Sequence, residues 1–145
     1  MILVIDTNIV FSTLLNPNSF IGEILMNVQD DFSFFAPALL FEEIDRYSSK
    51  IELYSKLNPK DIQTVKTLLL NSIELISEEL ISKENWKNAF ELTHDIDEDD
   101  TPFVALSLEL NARLWTGDKK LINGLLDKNN NIPISTEELK NLILK

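Results

Sequence analysis

Short apolar runs alternate with longer amphipathic segments along the chain. The first run, residues 2–5, is uninterrupted and rich in β-branched residues, which is typical of a strand buried on both faces of a parallel sheet. Four similar runs follow, each separated from the one before it by a stretch that is long enough for a helix. The predicted strands are residues 2–5, 32–36, 73–76, 114–116 and 132–134. This alternation predicts an α/β fold with a central, mostly parallel five-stranded sheet flanked by helices.

The segments between the strands have helical periodicity. Apolar residues recur three or four apart in residues 40–54 and again in residues 86–93, so each stretch is predicted to be an amphipathic helix. Residues 103–110 are apolar nearly all round, which predicts a helix packed in the middle of the domain. Ser135 and Glu138 have the spacing of a capping box and predict the start of a C-terminal helix.

The composition limits both the class of protein and the kind of site. A chain of 145 residues that is 44% hydrophobic is long enough for one domain, and we expect a single domain over residues 1–145. The absence of cysteine excludes disulfides and thiolate ligands, and the single histidine, His94, argues against a histidine-rich zinc site. A metal ion would therefore be held by oxygen. The chain has no signal-peptide pattern and no apolar run long enough to span a membrane, so we expect a cytoplasmic protein.

The acidic residues are more informative in their placement than in their number. The formal net charge of −11 is opposite in sign to that of a protein that binds nucleic acid by neutralising phosphates with Lys and Arg. Residues 94–100 form a dense acidic run directly before the apolar helix. Crowded carboxylates repel one another and favour a bound cation. Asp100, the acid closest to that helix, is the preferred ligand, with Asp97 and Asp99 as alternatives, although one acid here could simply cap the helix.

Two further acids, Asp6 and Asp118, follow the predicted strands 2–5 and 114–116. In open parallel sheets, ligands bind beyond the carboxyl ends of the strands, where the connecting loops diverge. Both acids are therefore candidate site residues. Each could instead serve only as the N-cap of the helix that follows it.

A fourth acid, Glu43, borders the apolar stripe of the predicted helix 40–54, whereas Glu42 falls among polar residues. A carboxylate beside an apolar surface needs a partner, because burial of an unpaired charge is costly. A metal ion would supply that partner. The alternative is a boundary glutamate that bends out to solvent.

Four segments of the sequence, LVIDTN, the helix with Glu-Glu-Ile, DEDDTPFVALSLEL and WTGD, together resemble the PIN-domain nucleases, in that order and over nearly the whole chain. The resemblance implies a three-layer fold in which four acids meet above the carboxyl edge of the sheet. The acids to which it assigns catalysis and metal binding are Asp6, Glu43, Asp100 and Asp118. It also implies supporting roles for Asn8 and for the Thr116 hydroxyl.

Clustered carboxylates and water are natural ligands of Mg²⁺ or Mn²⁺. One or two such ions could clamp a phosphodiester, activate a water molecule and stabilise the leaving oxygen. The ions would also neutralise the acidic pocket before the substrate phosphate arrives. The candidate phosphate contacts are Arg46, Lys119 and Lys120, whose alternative role is that of solvated surface charges.

The same resemblance implies RNA as the substrate, either single-stranded or a structured RNA cut at one place. Many prokaryotic relatives in this family are VapC-type toxins held inactive by an antitoxin, so an antitoxin partner and a homodimer are expectations as well. A phosphatase or receiver domain is a rival interpretation, but the phosphatase would need an acid where Asn8 stands, and the receiver would need adjacent acids after its first strand. A second rival is a catalytically silent RNA-binding or regulatory module with the same fold.

Overall fold

The computed structural model describes residues 1–27 and 31–144, and within them the chain forms a five-stranded sheet. The strands are β1 (Ile2–Ile5), β2 (Ser33–Pro37), β3 (Ile73–Ile76), β4 (Arg113–Trp115) and β5 (Pro133–Ile134). Their order across the sheet is β3-β2-β1-β4-β5, and every neighbouring pair is parallel. The predicted α/β architecture is confirmed.

Helices connect the strands, as parallel pairing requires. They are α1 (Thr7–Leu15), α2 (Phe20–Asn27), α3 (Leu39–Arg46), α4 (Ser48–Tyr54), α5 (Pro59–Ser72), α6 (Lys83–Thr93), α7 (Thr101–Leu110), α8 (Lys119–Asp127) and α9 (Thr136–Ile143), with short 3-10 turns at Glu78–Leu80 and Glu98–Asp100. No single helix in the described residues is long and apolar enough to cross a membrane. The pair α1 and α2 reaches that length and composition only together, across a bend of 107°.

The strand order reverses between β1 and β4. From β1 the chain builds outward through β2 to β3, then returns to the other side of β1 to add β4 and β5. Loops that leave β1 and β4 therefore diverge to opposite sides, which opens a crevice at the carboxyl ends of these two strands. Asp6 follows β1 directly, and Asp118 lies three residues after the end of β4.

Strand β1 and helix α7 both lie in the hydrophobic core, which explains why their sequences are apolar without interruption. Leu3, Val4 and Ile5 are completely buried, because β1 is the central strand and is covered on both faces. In α7 the consecutive residues 103–107 are all buried, and the helix packs against β1, β2, β4 and α6. The prediction of a central apolar helix is confirmed, and the acidic run directly precedes the N-terminus of this buried helix.

Sequence and structure differ at the ends of several elements. Strands β2 and β4 are displaced by one residue from the predicted ranges, and β5 is one residue shorter. The predicted helix 40–54 is interrupted at Tyr47, whose backbone (φ −97°, ψ 12°) separates α3 from α4, although the apolar spacing continues across the break. The capping box of Ser135 and Glu138 is present at the start of α9.

Candidate active site

Asp6 is held at the start of α1 through both of its carboxylate oxygens. Its Oδ1 accepts the Thr7 backbone N–H at 2.8 Å and caps the helix, while its Oδ2 accepts the Thr116 hydroxyl at 2.6 Å and the Asn8 amide at 3.3 Å. Burial raises the pKa of Asp6 from 3.8 to about 6, although the hydrogen bonds from Thr116 and Thr7 oppose this rise. The cap does not exclude a second role, since a carboxylate has more acceptor positions than these bonds use.

Asn8 and Thr116 connect Asp6 to the segment that carries Asp118. The Asn8 amide donates to Thr116 Oγ1 at 3.3 Å, and Asn8 Oδ1 accepts the Gly117 N–H at 3.1 Å. Thr116 Oγ1 also accepts the Asp118 N–H at 3.0 Å. Asp118 caps α8 through Oδ1, which accepts two backbone N–H groups of the first turn at 3.0 and 3.2 Å. This network fixes the loops after β1 and β4 relative to each other.

The structure distinguishes Glu43 from Glu42. Glu43 is half-buried, whereas Glu42 is exposed. Burial is the largest cause of the raised pKa of Glu43. The nearby Thr7 hydroxyl and the Arg46 charge oppose the rise, and the Asp99 charge adds to it. The Thr7 hydroxyl lies outside hydrogen-bonding geometry, so the Glu43 carboxylate is not fixed by it.

Asp100 differs from the other acids of its run. Its side chain makes no capping bond to α7. Asp97, by contrast, accepts the Asp99 backbone N–H at 3.0 Å and caps the 3-10 turn Glu98–Asp100. Asp100 is 9% exposed, while Asp97 and Asp99 lie on the surface. The pKa of Asp100 is raised from 3.8 to about 8, mainly by burial and then by the surrounding carboxylates, of which Asp6 has the largest effect. A helix cap therefore does not explain Asp100.

One cavity of about 300 Å³ brings these acids together. It is lined by Asp6, Thr7, Asn8, Phe11, Glu43, Tyr47, Lys50, Asp100 and Asp118. A second cavity of about 390 Å³ shares Asp6, Glu43, Tyr47 and Asp100 with it and contains the acidic turn. Among the described residues, two buried side-chain polar atoms lack a hydrogen-bond partner, Thr7 Oγ1 and Asp100 Oδ2, and both residues line the first cavity. Buried polar groups are rarely left unpaired, so this cavity favours a polar or charged ligand.

The donor chemistry of the cavity fits a hard divalent cation, because its ligands would be carboxylate oxygens and one of them is buried without a partner. The Asp6 charge raises the pKa of Asp100, and the Glu43 and Asp118 charges raise the pKa of Asp6, so a bound cation would relieve repulsion at both carboxylates. In the described residues, however, no three acids or imidazoles stand in an arrangement that could by itself hold a metal ion. The carboxylates line the cavity without converging on one point.

The cations around the cavity only partly match the sequence prediction. Arg46 lines the second cavity, as a phosphate contact should. Lys119 and Lys120 are exposed, and neither lines either of the two acidic cavities. Lys120 borders a separate groove. The prediction missed Lys50, which lines the first cavity. Lys50 follows Glu43 by seven residues, or two helical turns, and this spacing in the predicted helix 40–54 could have indicated that Lys50 lies on the same face as Glu43.

Comparison with known proteins agrees with this architecture. The sequence profile of the PIN domain matches residues 4–139. An uncharacterized protein of Methanocaldococcus jannaschii is 32% identical over 140 residues, which cover 94% of this chain and 83% of that protein. The chain therefore belongs to the PIN-domain family, whose members are generally nucleases that use divalent metal ions.

A solved structure shares the fold. The crystal structure of VapBC2 from Rickettsia felis, bound to a DNA fragment from their promoter, contains a chain that superposes with a TM-score of 0.64. The superposition covers 93% of this chain and 98% of that chain at 20% sequence identity. At this identity the similarity extends to the arrangement of strands and helices.

Proposed function

We propose that this protein is a metal-dependent endoribonuclease that hydrolyses RNA phosphodiesters. The observation that carries the proposal is the cavity in which Asp6, Glu43, Asp100 and Asp118, from four distant segments, lie together with an unpartnered buried oxygen of Asp100. Structural caps would explain Asp6 and Asp118, but they would leave the burial of Asp100 and Glu43 unexplained. A phosphatase or receiver domain is not supported, because the chain belongs to the PIN-domain family.

The four acids would hold one or two ions of Mg²⁺ or Mn²⁺. Asp100 is the preferred ligand of its run because it is buried and unpaired, whereas Asp97 and Asp99 are exposed and would at most hold outer water molecules. Such ions supply two kinds of chemistry, since they lower the pKa of water and neutralise charge on the phosphate and the leaving oxygen.

The protein's own groups then have distinct roles in hydrolysis, in which the oxygen of water bonds to phosphorus and the bond to one sugar oxygen breaks. The Thr116 and Asn8 hydrogen bonds orient Asp6, so that its carboxylate is presented in one position. The Glu43 carboxylate is not held by the Thr7 hydroxyl, its neighbour among the described residues, and its pKa is raised, which suits a metal-site acid that also accepts the proton of the attacking water. Arg46 and Lys50, at the rim of the two cavities, would contact the phosphates on either side of the cleaved bond.

The protein's setting in the cell is a further part of the proposal. The chain shares its fold with one from a VapBC2 complex, and this similarity supports a toxin that pairs with an antitoxin protein. A homodimer is also proposed, on the resemblance to the PIN-domain family alone. A short reading frame that adjoins the gene and encodes a DNA-binding protein would support the toxin role, and its absence would favour a free-standing nuclease.

Cleavage of single-stranded RNA by the purified protein tests the enzymatic proposal. We expect cleavage in Mg²⁺ or Mn²⁺, none in EDTA, and a loss of at least about 100-fold in Asp6→Asn, a substitution that removes charge but little volume. Glu42→Gln is the matched control, because Glu42 is an exposed acid one residue from Glu43 and should leave the rate within about twofold.

Unchanged cleavage by Asp6→Asn would contradict the assignment of the site. RNA binding without cleavage, in every metal tested, would instead support a catalytically silent RNA-binding module. Circular dichroism should show that Asp6→Asn keeps the fold, so that loss of activity is not loss of structure.

A further inference from the structure

An aromatic surface borders the acidic cavity and has no role in metal binding. Phe11 and Tyr47 line the same cavity as the four acids, and Lys50 lines it with them. The two rings meet edge to face, with centroids 6.1 Å apart and an angle of 76° between their planes. We call Phe11 and Tyr47 the aromatic pair.

The aromatic pair is placed by two helices that also carry site residues. Phe11 follows Thr7 by four residues on α1, and Tyr47 follows Glu43 by four residues at the end of α3, where its N–H still bonds to the Glu43 carbonyl oxygen at 3.2 Å. Residues four apart lie on one face of a helix. Each ring is thus one helical turn, about 6 Å along the axis, from a residue of the acidic site.

The geometry of the aromatic pair leaves ring surface uncovered. In an edge-to-face arrangement, one ring presents only its edge to the other, so the contact cannot cover both faces of both rings. Tyr47 is 42% exposed, and it is not part of the core. A single exposed aromatic residue is ordinary on a protein surface. Phe11 is partly buried against the core, but packing does not account for the exposed Tyr47 ring beside it in the wall of a strongly acidic cavity.

Lys50 adds a positive charge beside the aromatic pair. It lies three residues after Tyr47, on the same side of α4, and lines the cavity. It makes no ion pair with any described residue, although the chain carries a net charge of −11. An unpaired lysine next to flat apolar surface and a carboxylate cluster is complementary to a nucleotide, which has a flat base and an anionic phosphate.

We infer that the aromatic pair is a stacking site for one unpaired base of the substrate, and that Lys50 contacts the phosphate next to that base. This inference rests on the proposed nuclease function and adds a structural requirement to it. A base can reach the rings only if it is free of its partner strand, so the site selects an unpaired nucleotide beside the cleaved bond. Stacking is tolerant of base identity, so the aromatic pair would contribute affinity and position, with little preference among bases.

Steady-state cleavage of a short single-stranded oligoribonucleotide tests the stacking site. Tyr47→Leu keeps apolar bulk but removes the ring, and we expect KM to rise roughly 5- to 150-fold, the range for loss of one base–aromatic contact. Tyr47→Phe keeps the ring and should stay within about twofold of the wild type. A substrate with a single abasic nucleotide next to the cleaved bond should impair the wild type to a similar extent, and it should impair Tyr47→Leu no further.

The outcomes separate the stacking site from the nuclease function. If the wild type cleaves and Tyr47→Leu has an unchanged KM, the stacking site is overturned and the nuclease proposal stays intact. The same conclusion holds if the abasic nucleotide raises the KM of Tyr47→Leu as much as it raises that of the wild type. Failure of the wild type to cleave or bind the oligoribonucleotide would overturn both. Because Phe11 packs against the core, Phe11→Leu is the secondary variant, and its melting temperature should be compared with that of the wild type before its KM is interpreted.

Discussion

The buried carboxyl of Asp100 should make the metal-free protein less stable. The neutral substitution Asp100→Asn should therefore stabilise the fold, although it should destroy activity. The pKa of Asp100 rises from 3.8 to about 8 because the carboxyl is buried and other acids surround it. At pH 7 the folded protein consequently keeps the carboxyl protonated, whereas the unfolded chain has released the proton. A difference of one pKa unit corresponds to about 1.4 kcal/mol, so the free energy of unfolding is lowered by at most about 4 kcal/mol at pH 7.

The expected gain in Asp100→Asn is smaller than this limit. Asp100 lines an open cavity, where solvent screens its charge, and the amide that replaces it still needs hydrogen-bond partners. We expect the metal-free variant to be about 1–2 kcal/mol more stable than the wild type at pH 7, a rise in melting temperature of about 3–6 °C. Asp99→Asn is the matched control, because Asp99 is the exposed neighbour and should change stability by less than about 0.5 kcal/mol.

The sign of the pH dependence provides a second check. Between pH 4 and pH 8 the folded state holds more protons at Asp100 than the unfolded state does, so its contribution to stability falls as the pH rises. The advantage of Asp100→Asn should therefore shrink as the pH is lowered from 7 to 4. Saturating Mg²⁺ should stabilise the wild type by about 3 kcal/mol at 100 times its Kd and should stabilise the variant much less, so the order of the two proteins reverses.

Thermal unfolding in EDTA and in Mg²⁺, followed by circular dichroism, measures all of these differences. The reasoning would be refuted if Asp100→Asn were less stable than the wild type in EDTA at pH 7. It would also be refuted if Mg²⁺ raised the two melting temperatures equally.

Two further predictions concern the same cavity. Thr116→Val removes the hydroxyl that donates to buried Asp6 and accepts from the Asp118 backbone, so we expect a loss of stability of about 1–3 kcal/mol and a large loss of cleavage, whereas Thr116→Ser should retain most of both. Metal affinity should rise with pH, by roughly tenfold for each pH unit between 6 and 8, because the ion must displace the proton from Asp100 (pKa about 8) once Asp6 (pKa about 6) is ionised. Calorimetric titrations should show that the metal affinity rises across this range and levels off above pH 8. A Kd that is independent of pH would contradict the prediction.

Much of the fold could be predicted because its strongest signals are local. The uninterrupted apolar run of β1 and the all-round apolar helix α7 have no stable place except in the interior, so their burial follows from composition. The positions of Asp6 and Asp118 beyond strand ends followed from the geometry common to parallel sheets. The break at Tyr47 could not be predicted, because the apolar period passes through it unchanged.

The details of the site depended on tertiary contacts that a single sequence does not encode visibly. Asp97, Asp99 and Asp100 are chemically alike, and although the position next to the apolar helix favoured Asp100, its burial and its unpartnered oxygen become visible only in the structure. Lys120 follows a site acid in sequence, but the first turn of α8 directs its side chain to a different groove. Phe11 and Tyr47 are 36 residues apart and meet only because α1 packs against α3 and α4.

Direct binding of Mn²⁺ is the measurement that tests the central claim most closely, because it does not depend on knowledge of the RNA target. The intensity of the electron paramagnetic resonance signal of free Mn²⁺ falls as the ion binds, so a titration gives both affinity and stoichiometry. We predict saturable binding of one or two ions per chain, competition by Mg²⁺, and binding at least about tenfold weaker in Asp6→Asn and in Asp100→Asn. Absence of saturable binding to the wild type, or equal binding by all three proteins, would contradict the assignment of these acids to a metal-dependent nuclease site.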